Sequence, residues 1–311
     1  MELRRLRLLH ELSRLGTVAA VAEALAYSPS SVSVQLAQLE REAGAKLLRR
    51  VGRNVELTPA GRRLAAYAAE ALASDEAVRT ELASAGDTPR GRLRLTFVQT
   101  PALALLPGLL DRLADTAPDL QVEVVQRETA PALEDLRSRA VDLVVGIEYD
   151  PVPVPRQRDV DRRDLLREDV LLAVAPEHPA VPKRGPIRLA ACEHAAWATG
   201  HRGTGLDAVV RNVCNRLGGF EPDIRHRSDD GLVLSALVAS GRAVALLPAL
   251  LTAAVPQIIA RRLREERLQR TIFTATRTTT THAPAVLAAR QALRDTTRQV
   301  AAGQRDLEVL P

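Results

Sequence analysis

One stretch restricts the fold more than any other. Within residues 16–61, a helix stop, two helix caps, a second stop, a basic turn and a proline-led helix start follow one another within a few residues. Before it, Leu3, Leu6, Leu9, Leu12 and Leu15 recur every third position among Arg and Glu, predicting an amphipathic helix that Gly16 ends. Thr17 is the expected N-cap of a short Ala-rich helix reaching about Leu25, followed by a tight Ala26-Tyr27 turn. Ser28-Pro29 then opens another helix. A serine oxygen accepts from orphan amides, and proline's missing N–H costs nothing at the first helical position.

That helix, running to about Ala43, puts Val32, Leu36, Leu39 and Ala43 on one face and Ser30, Val34, Gln38 and Arg41 on the other. Its first turns, with Ser31 and Ser33, are small and polar. Short hydroxyls let a helix N-terminus approach phosphates and base edges in a major groove, although a surface helix of a three-helix bundle also accounts for the segment alone. The next stretch, LLRRVGRNVELT, predicts two short strands around Val51-Gly52-Arg53-Asn54, with Arg49, Arg50 and Arg53 on or beside the turn. In that order the elements form a winged helix-turn-helix. Thr58-Pro59-Ala60-Gly61 then opens a helix to about Ala85, on which Leu64, Ala68, Ala71, Asp75, Val78 and Leu82 follow a 4-3-4-3-4 spacing, the expected seam for a second copy.

Charge agrees with this division. Residues 1–63 hold 11 basic and six acidic residues, a net +5 equal to that of the whole chain, while residues 64–90 carry −3 and the other 221 residues +3. A basic head of this kind suits nucleic acid. Arginine supplies all but two of the 43 basic residues, Lys46 and Lys183 being the exceptions, a bias that reads first as codon usage. With 46% hydrophobic residues the chain is expected to fold, without a signal peptide or any stretch of the ~18 apolar residues a membrane span needs, so a cytoplasmic location is expected. Cys192 and Cys214 are too few for a disulfide framework or a four-ligand zinc site, and no cofactor or metal is expected.

Residues 1 to about 65 resemble the winged helix-turn-helix of LysR-type transcriptional regulators. The likeness rests on the caps, the Leu39-Glu40 pair, the Gly44 stop, the Leu47-Leu48 wing strand and the Leu57-Thr58-Pro59-Ala60-Gly61 opening of the linker helix. It implies DNA contacts at Ser28, Pro29, Ser30, Ser33, Val34 and Arg53; with Ser31, Gln38, Arg49, Arg50 and Thr58 these form the candidate DNA-binding set. Pro29 stands where the family often has Gln, and Val34 where it often has a polar or basic residue. Base readout is therefore expected to lean on apolar contact and DNA shape. The resemblance also implies a dimer or dimer of dimers on double-stranded promoter DNA, RNA polymerase as a further partner, and DNA bending that relaxes when effector binds.

After Pro89-Arg90-Gly91 the chain alternates strands and helices in α/β fashion. Strand-like runs occur at 92–97, 122–125, 143–145, 170–175 and 244–247, and helical ones near 102–115, 131–139, 204–217, 230–240 and 284–301; Pro151-Val152-Pro153-Val154-Pro155 reads as an extended connector. The expected division is a DNA-binding domain at 1–59, a linker helix at 60–88 and a regulatory domain at 91–311, with one lobe at about 91–164 and 269–301 and the other at about 165–268. The fold class is α/β overall. By resemblance to the family, the regulatory part is a periplasmic-binding-protein-like pair of lobes with an effector between them.

Ligands of open α/β sheets lie beyond strand C-termini, at helix N-termini. The candidate effector residues there are Gln99, Thr100, Glu128, Thr129, Gly203, Thr204 and Ser228, with Gly146, His201 and Arg202 at the rim. Plain N-capping accounts for the hydroxyls equally well. They hint at an anionic effector, while Pro101–Leu106 suits an apolar one. Asp159/Asp161 and Asp229/Asp230 read as solvated connectors. GxSxG, GxxxxGK[ST], HExxH and GxGxxG motifs are absent, so the reading is a regulator and not an enzyme. Two other classes stay open: an architectural DNA-binding protein whose lobes take no ligand, and a solute-binding or catalytic α/β protein.

Overall fold

The computed structural model describes residues 1–51, 54–84, 89–182 and 184–311. Helix α1 (Leu3–Leu15) ends at Gly16, whose φ of 76° lets its N–H reach the Leu12 carbonyl. In α2 (Val18–Ala24) the Thr17 hydroxyl accepts from Ala20 N, and in α3 (Pro29–Ala43) that of Ser28 accepts from Ser31 N. These caps satisfy amides that the helix itself leaves unpaired. Leu6, Leu9 and Leu12 of α1 close on Val21, Val32, Leu36 and Leu39 to form the head's core.

Strands β1 (Leu48–Val51) and β2 (Asn54–Leu57) pair antiparallel, setting Arg49 opposite Glu56. The Leu39-Glu40 pair now has a physical account: Leu39 is fully buried, while the Glu40 carboxylate accepts from Leu47 N (2.9 Å) and Leu48 N (3.1 Å), pinning the start of the wing to α3. Helix α4 (Pro59–Ser84) follows and lies along α1.

The rest of the chain is two sheets sharing one long strand. It comprises β3 (Gly91–Phe97), α5 (Gln99–Thr116), β4 (Leu120–Gln126), α6 (Thr129–Arg137), β5 (Leu143–Tyr149), β6 (Val160–Val174), β7 (Ala196–Thr199), α7 (Gly205–Val213), β8 (Asp223–Arg227), α8 (Gly231–Ala239), β9 (Ala245–Pro248), α9 (Ala249–Thr252), β10 (Ile259–Arg261), β11 (Gln269–Arg277), α10 (Pro284–Ala301) and β12 (Leu307–Val309). The first sheet runs β4-β3-β5-β11-β6, parallel among β3, β4 and β5 and antiparallel around β11. Strand β6 pairs with β11 as far as Asp169↔Gln269; from Val170 it pairs with β9, and from Leu172 also with β10. Parallel β7 and β8 extend this second sheet beyond β9, through Trp197 and Val244. One strand thus carries both lobes, and the division falls a few residues beyond the 164/165 boundary read from sequence.

The first half of β6 was not expected as a strand, because Asp161, Arg162, Arg163, Asp164, Arg167, Glu168 and Asp169 break any apolar alternation. Those charges are neutralised by neighbours: Arg162 pairs with Glu148 and lies over the Phe273 ring, Glu168 pairs with Arg270, and Asp169 with Arg262 and Arg267.

Candidate functional site

The exposed face of α3 carries Ser28, Pro29, Ser30, Ser33 and Val34, the last 61% exposed. Its hydroxyls have local partners: Ser28 Oγ lies 3.1 Å from Ser30 Oγ, and Ser33 Oγ donates to the Pro29 carbonyl. Ser31 is half-buried and its amide is the one Ser28 caps, while Gln38 donates to Glu42. In the wing, Arg49 pairs with Glu56 at 2.7 Å, whereas Arg50 is exposed and makes no ion pair among the described residues. Arg53 lies outside the described residues. Thr58 holds the fold together, since its hydroxyl donates to the Lys46 carbonyl and accepts from Gly61 N, clamping α4 to the wing.

Between the two lobes lies a cavity of about 400 Å³. Its walls are the ends of β3, β5 and β9, the first turns of α5, α6, α7 and α8, and the Val152–Pro155 connector. Gln99 bridges the lobes from beside it, donating to Asp230 Oδ1 (2.7 Å) and accepting from Gly231 N (2.7 Å). Asp230 also caps α8, and the Gln99 hydrogen bond leads the contacts that hold its carboxyl below the usual range. Thr129 is consumed by the Ile147 backbone, and Thr204 donates to the His201 carbonyl. Thr100, 7% exposed, and the half-buried Glu128 have no side-chain partner among the described residues. Burial, then the nearby Asp229, pushes the Glu128 carboxyl up.

The model for the LysR substrate binding domain matches residues 86–298, and that for the bacterial regulatory helix-turn-helix protein of the lysR family matches residues 3–62. The chain belongs to the LysR family. It is accordingly a DNA-binding transcriptional regulator with an effector-binding domain. Among curated relatives, the transcriptional dual regulator GltC of Bacillus subtilis is 27% identical over 248 residues, spanning 80% of this chain and 81% of its own. A probable hydrogen peroxide-inducible genes activator of Streptomyces viridosporus is 32% identical over 256 residues, 79% of this chain and 80% of the other. A full-length OxyR variant from Pseudomonas aeruginosa shares the fold with a TM-score of 0.63 at 23% identity, covering 94% and 95% of the two chains. Full-length CbnR complexed with its target DNA superposes with a TM-score of 0.52 at 25% identity, covering 95% and 99%.

Within this LysR effector domain, Gln99, Thr100, Glu128, Thr129, Gly203 and Thr204 line the cavity, and four expected residues do not. Gly146 sits behind Thr129, where a Cβ would meet the Phe273 ring at 2.8 Å. His201 points outward to pair with Asp229 at 3.0 Å, and Ser228 Oγ accepts from Asp230 N. Arg202, placed at the rim with His201, is exposed and is likewise absent from the lining. Sequence reasoning missed Glu148, Tyr149, Asp229, Arg270 and the apolar wall of Leu206, Leu234, Leu247 and Leu251. An arginine inside the strand QRTIFTATR was the available signal, since a charge there must find a buried partner.

The expected seam on α4 also needs correction. Leu64, Ala68 and Ala71 pack on the head's own core, Ala68 completely, because α4 lies along α1. Only Val78 (53% exposed) and Leu82 (72%) of the seam face outward, with Tyr67 (52%) in line with them.

The head of this LysR protein touches its own effector domain through α6. Arg7 donates to the Ser138 carbonyl, Arg14 pairs with Glu134, and on α4 the Glu76 carboxylate accepts from Arg277 Nε (2.8 Å) and the Thr279 hydroxyl, with Arg139 3.6 Å away. Burial and the cations Arg14, Arg139 and Arg137 push the neighbouring His10 imidazole down to about 4. The fold therefore favours neutral His10. Its contribution is present above an unfolded value near 6.5 and is lost as pH falls toward 4. His10→Asn is expected to flatten thermal stability over that window, by on the order of 2 kcal/mol across it, as read by melting temperature against pH.

Proposed function

We propose that this regulator binds promoter DNA as a dimer or dimer of dimers through the exposed face of α3 and the wing, in the cytoplasm and without catalysing a reaction. A small molecule held between the lobes would bias the arrangement of the two heads. The domains would divide near 59, 88 and 91, and RNA polymerase would be a further partner. The observation that carries the reading is the joint presence of a solvent-facing, small-residue α3 beside an exposed Arg50 and an interlobe cavity of drug-like size. A ligand can alter DNA affinity only by the difference in its affinity for two arrangements.

Val34→Glu places a carboxylate on the face expected to meet the groove. It is expected to weaken promoter binding at least about a hundredfold without moving the melting temperature. Arg50→Ala should weaken binding to all duplexes alike and lower the salt slope by about one. Fluorescence anisotropy against salt concentration reads both, and wild-type affinity in Val34→Glu would reject α3 as the reading helix.

Val78→Asp with Leu82→Asp is expected to convert dimers to monomers in sedimentation, because these side chains form the exposed end of α4. An unchanged dimer would place the interface elsewhere.

Some relatives are named as peroxide-inducible activators. Thiol oxidation needs an accessible thiolate. Cys192 and Cys214 are buried, and burial pushes both thiols up to about 12. The signal for this chain is accordingly proposed to be a non-covalent ligand.

A further inference from the structure

The charges around the cavity identify its ligand more closely. We infer that the effector carries a cationic nitrogen, an ammonium or amidinium, on a compact apolar body; this rests on the reading that the interlobe cavity is the effector site.

Among the described residues, Arg270 is the single basic residue of the lining; its charge is paired with Glu168, Nε lying 2.8 Å and Nη2 2.7 Å from Oε1, although Nη1 reaches only the Tyr149 hydroxyl at 3.5 Å and Nη2 makes no aligned hydrogen bond among the described residues. Three carboxylates face it. Glu148 is held by Arg162 and by Val154 N, and Asp229 by His201. Glu128 has neither an ion pair nor a hydrogen bond to its side chain among the described residues, and it is half-buried in the wall. A second polar group in the same wall is also unpartnered: Thr100, more than nine-tenths buried, has a hydroxyl without a partner among the described residues, able to accept from an N–H of the ligand or to donate to it, so it marks a ligand position while Glu128 sets the sign of the charge.

Helix N-termini favour anions, and four end here, so the opposing effect must be weighed. The first amides of α8 are already taken by Asp230 and Gln99. Helices α5 and α6 have Pro101 and Pro131, without an N–H, in their first turns, and α7 carries Asp207 in its own. What is left is a fraction of a charge, whereas Glu128, whose carboxyl burial and Asp229 push up, becomes ionised beside an entering cation and repels or must stay protonated beside an anion. An entering carboxylate would meet Glu128 where the one lining cation, Arg270, already has its charge balanced by Glu168, whereas an ammonium would give Glu128 its missing partner. The opposite wall, Leu206, Leu234, Leu247 and Leu251, suits a hydrocarbon body.

The test uses three nearly isosteric probes on the full-length protein: cyclohexylmethylammonium, cyclohexylmethanol and cyclohexanecarboxylate. Calorimetric titration and melting-temperature shifts are measured for wild type and Glu128→Gln. In wild type the ammonium is expected to bind about tenfold tighter than the alcohol, with the carboxylate weakest, and in Glu128→Gln the three are expected to converge. A carboxylate that binds as tightly as the ammonium, or an ammonium advantage that survives Glu128→Gln, overturns the cationic assignment. Binding of the alcohol in that case leaves the cavity itself standing as the effector site. If no probe shifts the melting temperature of either protein, the cavity reading and the headgroup assignment fall together.

Discussion

Replacing Arg270 with methionine is expected to lower stability by about 3 to 5 kcal/mol and the melting temperature by on the order of 10 °C. Arg270 on β11 stands opposite Glu168 on β6, and both are all but inaccessible to water. Without the guanidinium, Glu168 Oε1 is left as a buried carboxylate oxygen with no cation, while Oε2 still accepts from Leu250 N. The large term is the stranded charge and not the lost attraction, since an intact buried pair adds little net stability. Adding Glu168→Gln should therefore recover most of the loss, because glutamine keeps an acceptor for Leu250 without the charge. Thermal unfolding of the single and double variants checks this. A single variant within about 1 kcal/mol of wild type would show that solvent reaches Glu168.

Gly61→Ala is expected to abolish promoter binding and to destabilise the head by roughly 3 kcal/mol, although alanine is by itself the better helix former by about 1 kcal/mol. A Cβ at this position would lie 2.1 Å from the Leu47 carbonyl oxygen, a backbone atom that cannot swing aside, and 3.1 Å from Leu57 Cδ2. The first turn of α4 would have to leave the wing, taking with it the Thr58 contacts to Lys46 and Leu47. Anisotropy with promoter DNA and the unfolding of the head measured by tyrosine and circular-dichroism signals decide it. A gain in stability would mean the close approach relaxes without cost.

The head was readable because its punctuation is local: Gly16, Thr17, Ser28-Pro29 and Gly44 each act within one turn of helix, so that α1 ends, α2 and α3 begin and α3 ends where those residues place them. The Pro59–Gly61 opening was equally visible, yet the reason for Gly61 required the wing folded beneath it. On α4, spacing alone could not tell a seam for a second copy from one spent on α1, because both demand the same apolar period. In the lobes, strands with an apolar core such as β5 announce themselves, whereas the charged half of β6 depends on partners a hundred or more residues away, such as Arg270 for Glu168 and Arg290 for Asp161. The cavity followed the same rule. Its helix-start residues were legible as local signals, but Arg270, Tyr149 and the leucines of the second lobe enter it only through tertiary folding.

Helix α6 has a consequence for how a signal crosses this molecule. Its first turn, Thr129 with Glu128 just before it, forms part of the cavity wall, and its last turn and the residues after it hold Arg14 and Arg7 of the head. Nine residues of helix span only about 14 Å, and a helix that short tilts as one piece. The helix thus touches the cavity at one end and the DNA-reading head at the other, so a ligand that tilted it would be felt by both, a rocker in geometry.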